Sequence, residues 1–156
     1  MSDPIGDAPP APDTNSVTIP EGLPQTPSVL RAWVYSSALS ARYFGLPVYL
    51  VGGALRDFDP RDIDVVIPVP DDLFRAMHGD PFGKVDLTTW TSGVRSANPP
   101  AFWRRWARDC AKQSRAMTLY CGRCVDFKTQ PQSYFDTYSG LSRIRLDCGL
   151  MPEGAA

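Results

Sequence analysis

The sequence predicts an α/β fold, a mixed β-sheet with flanking helices, and three observations predict it. Helix-period patterning follows Thr26 and again follows Asn98. Short apolar runs of strand length, residues 48–51 and 65–67, stand between those two segments. A glycine pair, Gly52-Gly53, ends the first run abruptly. Helical and strand periodicities that take turns along one chain imply mixed α and β packing around one core.

Each element follows from local chemistry. Thr26-Pro27 supplies a cap and a first-turn proline. Leu30, Trp33, Val34, Ala38, Ala41 and Phe44 then recur at helical spacing up to Gly45, so a helix with these side chains inward is expected. Residues 47–51 read as a strand, the glycine turn follows, and 62–69 read as a second strand. Residues 71–78 read as a short helix with Leu73, Phe74 and Met77 inward and His78, the only histidine, at its end. Residues 84–90, KVDLTTW, alternate as a strand does. Asn98-Pro99-Pro100 starts a second long helix to about Gln113, with Phe102, Trp103, Trp106, Ala107, Cys110 and Ala111 inward. Residues 117–121 and 124–129 read as a hairpin around Gly122-Arg123, and 142–146 as a last strand. The aromatic stripes of both helices read as core.

Composition bounds the rest. A chain of 156 residues, 43% apolar and with four Trp, supports one packed domain. Residues 1–27 are crowded with Pro4, Pro9, Pro10, Pro12, Pro20, Pro24 and Pro27 and carry few large apolar side chains. They are expected to form a flexible or extended arm, with the domain over 28–150 and a loose end over 151–156. No apolar run approaches the roughly 20 residues that cross a membrane, and no basic-then-apolar leader opens the chain. The expectation is a soluble, cytoplasmic protein with no membrane partner. A net charge of −1 supplies no global field for nucleic acid, so any such contact must be local. Arg104, Arg105, Arg108 and Lys112 make one basic helix face, which reads first as a solvated face.

The segment from Val48 to Pro68, VYLVGGALRDFDPRDIDVVIP, carries the chemistry. Asp62 and Asp64 sit two apart on a strand, so they share one face at a separation of roughly 6–7 Å. Hard oxygen ligands of this kind suit Mg2+ or Mn2+ bound against a triphosphate. Gly52 and Gly53 remove two side chains where a ligand would approach the backbone. If 54–58 opens a helix, its N-terminus favours phosphate as well.

The order GG-A-L-RD followed by D-I-D resembles the head domain of class II tRNA nucleotidyltransferases and poly(A) polymerases, of the polymerase-β-like superfamily. The resemblance spans about 25 residues. It departs from the family pattern at Phe58-Asp59-Pro60-Arg61, where the family has a leucine-leucine-glycine segment. The resemblance implies a nucleotidyltransferase fold and transfer of a nucleoside monophosphate from an NTP to a hydroxyl acceptor, an RNA end, a protein or a small molecule. It places Asp62 and Asp64 as metal ligands, and Gly52, Gly53, Arg56 and Asp57 near the nucleotide. It also implies a third acid from a later strand. Val85-Asp86-Leu87 and Val125-Asp126-Phe127 compete for that role, and the class II layout favours Asp126. The chain resembles the stand-alone short forms that phages carry, which would put it in a host cytoplasm. The alternative is a non-catalytic module that kept the fold. Cys121-Gly-Arg-Cys124 has half the spacing of a zinc knuckle, and without a second close pair the four cysteines read as ordinary thiols.

Overall fold

The computed structural model describes residues 18–56, 59–80, 82–87, 98–137 and 141–147. Helix α1 spans Pro27–Arg42 and β1 spans Tyr49–Val51, followed by a single 3-10 turn over Gly52–Leu55. Strand β2 is Asp62–Val69 and α2 is Asp71–His78. A long helix, α3, covers Ala101–Cys121 and leads into β3, Cys124–Pro131. A short helix α4, Gln132–Thr137, and the two-residue β4, Ile144–Arg145, complete the order.

The four strands form one mixed sheet in the order β3-β2-β1-β4. β1 runs antiparallel to β2 and to β4, while β3 runs parallel to β2 through the α2–α3 connection. Successive strand residues face opposite sides. Leu50, Ile63, Val65, Ile67, Val69, Val125 and Phe127 therefore share the back face, where all are buried in one core with Val29, Trp33, Leu39, Trp103, Trp106 and Met117. Burying each such side chain is worth about 1.5–3 kcal/mol, which fixes the register of β2 and β3. The front face carries Asp62, Asp64, Asp126, Lys128 and Gln130 beside the buried Val66 and Pro68.

Helix α1 forms where expected but is rotated. Its buried residues are Val29, Ala32, Trp33, Ser36 and Leu39, while Val34 is 47% and Phe44 67% exposed. A serine in the true stripe hid it: the Ser36 hydroxyl lies 2.6 Å from the Trp33 carbonyl and 2.8 Å from that of Leu146, so burial leaves it satisfied. Leu23, upstream of α1, is 5% exposed and belongs to the core, so the packed unit begins before residue 28.

The expected hairpin over 117–129 is not formed. Residues 117–121 are the last turns of α3, which continues past Gln113 because Gln113, Met117 and Cys121 extend its buried stripe. Gly122, at φ 71°, stops the helix in the left-handed region, and its N–H donates to the Thr118 carbonyl at 3.0 Å. The strand expected over 84–90 is also absent from 84–87, and residues 88–90 lie outside the described residues. The N–H groups of Lys84 and Val85 donate to the Asp80 carboxylate, each at 2.8 Å, and the place beside β2 is taken by β3.

Strand β3 lies at a sheet edge, and α3 closes that edge. The Val125 N–H donates to Thr118 Oγ1 and the Phe127 N–H to Ser114 Oγ, both at 2.9 Å. Trp106 Nε1 donates to the Thr129 carbonyl at 2.9 Å. Backbone groups that would otherwise recruit another strand are thus satisfied from within the chain. Among the described residues no helix is long and apolar enough to cross a membrane.

Candidate active site

The front face gathers the carboxylates. In the parallel β2–β3 ladder Asp64 is directly opposite Asp126, and Asp62 is opposite Cys124. Neighbouring strands lie about 4.8 Å apart, so Asp64 and Asp126 stand side by side, with Asp62 one strand period away on the same face. Across the other ladder Asp64 is opposite Val51, the last residue before the glycine pair. Asp86 sits off the sheet in the irregular segment after α2 and is exposed.

Electrostatics reflect this crowding. Burial pushes the Asp64 carboxyl above its ordinary value, and the negative charges of Asp126 and then Asp62 push it further, with Lys128 opposing. Lys128 Nζ donates to Asp126 Oδ2 at 2.6 Å and supplies the one compensating charge in that shift. Among the described residues no three His, Cys, Asp or Glu side chains are drawn together tightly enough to hold a metal ion. Asp126 is turned to Lys128 instead. The donor set fits Mg2+ in kind, since it is all carboxylate oxygen and carries a charge excess that a divalent cation relieves.

Gly52 is at φ 74°, and a Cβ on it would run into the Asp64 carboxylate. Any other residue type is strained there, by the positive φ and by the close approach of that side chain. A Cβ on Gly53 would meet nothing within 4 Å, so this second glycine leaves the approach open. The turn Gly52–Leu55 is only four residues of 3-10 helix, too short for the helix-terminus phosphate site considered from the sequence. Arg56 follows it, exposed, with its N–H on the Gly53 carbonyl at 2.9 Å. Asp59 pairs with Arg123. Asp57 lies outside the described residues.

A cleft of about 380 Å³ runs from Gly52 and Arg56 over Val66 and Gln130 to Phe135 and Arg143. The Arg143 guanidinium lies 4.4 Å from the Phe135 ring centroid and 5.4 Å from that of Tyr49, and the two rings are 5.2 Å apart. The aromatic pair holds a cation at the cleft wall. Sequence reasoning missed Gln130, Phe135 and Arg143. The period-2 pattern of β3 could have put Gln130 on the face of Asp126, but nothing local ties Arg143 to it.

Among the described residues no cysteine belongs to a group that could hold a metal ion. Cys110 and Cys121 are buried, and burial pushes each thiol up to about 11, while Cys124 is exposed. Cys148 lies outside the described residues. No family model, no curated protein and no solved structure matches this chain.

Proposed function

We propose that this chain is a metal-dependent nucleotidyltransferase that moves a nucleoside monophosphate from an NTP to a hydroxyl acceptor. One observation carries the reading: Asp126 pairs directly with Asp64 on the face that also bears Asp62. The likeness of the GG-A-L-RD and D-I-D segments to the head domain of class II tRNA nucleotidyltransferases supports it. Asp62, Asp64 and Asp126 would hold Mg2+, which when bound neutralises triphosphate charge and favours the ionised form of an acceptor hydroxyl. Gly52 and Gly53 leave room for the phosphates beside those carboxylates. Arg56 offers a planar guanidinium to their oxygens. The cleft lined by Gln130, Phe135 and Arg143 takes the nucleoside, with an apolar wall for the base and donors at its edge. Attack of the acceptor oxygen on the α-phosphorus forms one P–O bond and breaks the α–β bridge, releasing pyrophosphate.

The test is incubation with each labelled NTP, Mg2+ or Mn2+, and bulk RNA or bulk protein. Label should reach one acceptor class, fall by at least about a hundredfold in Asp64→Asn and Asp126→Asn, and persist in Asp86→Asn. Absence of transfer, together with unchanged Mg-nucleotide affinity in folded Asp64→Asn, would overturn the reading. The Lys128–Asp126 ion pair favours a second reading, a non-catalytic module whose third carboxylate is neutralised internally. In that case Lys128→Met leaves Mg2+ affinity unchanged, whereas the catalytic reading has it tighten.

A further inference from the structure

Behind the sheet, away from the carboxylates, a second pocket of about 200 Å³ opens between the C-terminal ends of α1 and α2, the middle of α3 and the end of β3. Buried His78, Gln113 and Thr129 form its inner wall, and Arg42 and Lys112 stand exposed beside it. The Gln113 amide is already engaged: its oxygen accepts from Arg42 at 2.9 Å and its nitrogen donates to the Tyr35 hydroxyl at 3.1 Å.

His78 is different. It is 1% exposed, and neither ring nitrogen has a hydrogen-bond partner among the described residues. Its ring is fixed edge-on against Phe74 and Phe102, at centroid distances of 4.7 and 5.6 Å. Asp109 Oδ2 is 3.7 Å from Nδ1, beyond hydrogen-bond reach, and that carboxylate is more than half exposed. Buried polar groups are paired as a rule, so an orphaned imidazole beside a cavity asks for an occupant.

The surrounding groups say which kind. Burial holds the His78 imidazole in its neutral form, with Asp109 and Arg105 acting in opposite senses, so one ring nitrogen carries a proton to donate. Burial pushes the Tyr43 hydroxyl up to about 12, so it also keeps its proton. Arg42 and Lys112 add two cations against the single charge of Asp109. Donors prevail, and the space admits a tetrahedral oxyanion and little more. Beyond the rim, Arg104, Arg105, Arg108 and Arg115 extend the positive charge along the outer side of α3, where Asp109 is the only acid.

We propose that this pocket binds a phosphate group through Arg42, Lys112, Tyr43 and His78. The group is either free phosphate or one phosphate of a nucleic acid strand lying along α3. The site does not depend on the chemistry of the front face.

Titration calorimetry on the full chain, without divalent metal, tests this with inorganic phosphate and with a short single-stranded RNA. Phosphate should bind saturably, at least about tenfold more weakly in Lys112→Met and Arg42→Met, and equally in Asp86→Asn. His78→Phe fills the slot between Phe74 and Phe102, so it should melt higher without ligand and lose the phosphate-dependent rise in melting temperature. RNA that binds more tightly than phosphate, with steep salt dependence and loss in Lys112→Met, identifies the strand backbone as the source. Phosphate binding without RNA binding identifies the free anion. No saturable phosphate binding, or binding lost in Arg56→Met and kept in Lys112→Met, overturns the proposal.

Discussion

Asp64 sits in a native environment that opposes its charge, through burial first and then through Asp126. An acid whose carboxyl is raised on folding contributes stability below its unfolded value and loses that contribution as pH rises through the folded one. Metal-free protein therefore gains from this group as pH falls toward about 4, and Asp64→Asn should remove that gain. At neutral pH in EDTA the same variant should melt a few degrees above the parent chain, and Mg2+ should no longer raise its melting point. Asp80 works in the opposite sense. Burial raises its carboxyl, but the N–H groups of Val85 and Lys84 and the Arg75 guanidinium outweigh this and hold it below the usual range. Its contribution is present above the ordinary carboxylate value and is lost as pH falls, so Asp80→Asn should lower the melting temperature at neutral pH. Gly52 gives a third residue-level expectation. Gly52→Ala meets both a positive φ and the Asp64 carboxylate, and should cost about 1–3 kcal/mol in urea denaturation while weakening Mg2+ binding.

At the scale of elements, α3 and β3 are joined by side-chain hydroxyls as well as by packing. Ser114→Ala leaves the Phe127 N–H without its partner at the closed edge, and should cost about 1–3 kcal/mol by urea denaturation. These contacts also explain what the sequence could and could not reveal. Strand β2 and helix α2 were legible to the residue, because Asp62 to Val69 is an apolar run behind an acidic head and Asp71–His78 is bracketed by Pro70 and Gly79. The end of α3 was not. Ser114 and Thr118 read as helix-weakening residues, yet they face β3 and bond to it. The phase of α1 was missed for a like reason, since Ser36 occupies a core position whose two carbonyl neighbours are distant or invisible in a linear pattern. Asp62 and Asp64 could be aligned from strand period alone. The position of Asp126 beside Asp64 could not, because parallel pairing across 62 residues is a tertiary fact that no window contains.

The described residues build a sheet with a filled back and a front that carries the carboxylates. Its back core reaches further toward the N-terminus than composition implied, because Leu23 is buried and its N–H bonds the Pro20 carbonyl at 3.1 Å. A chain beginning at Thr18 should therefore keep the melting temperature of the full chain. One beginning at Pro27 should lose about 1.5–3 kcal/mol, the worth of a buried leucine, read from chemical denaturation. Equal stability of the two truncations would show that Leu23 contributes nothing to the core.

The strand that bears Asp126 is bonded along both of its sides, to β2 on one and to the Ser114 and Thr118 hydroxyls of α3 on the other. Such a strand has no loose side from which to fray. Its Val125 and Phe127 amides can exchange with solvent only when α3 comes away from this edge. The Val125 and Phe127 amides should thus be among the slowest in deuterium exchange, with protection close to that of global unfolding. On the proposed function, a ligand held by Asp126 would meet a backbone already rigid, with little ordering entropy left to oppose its capture.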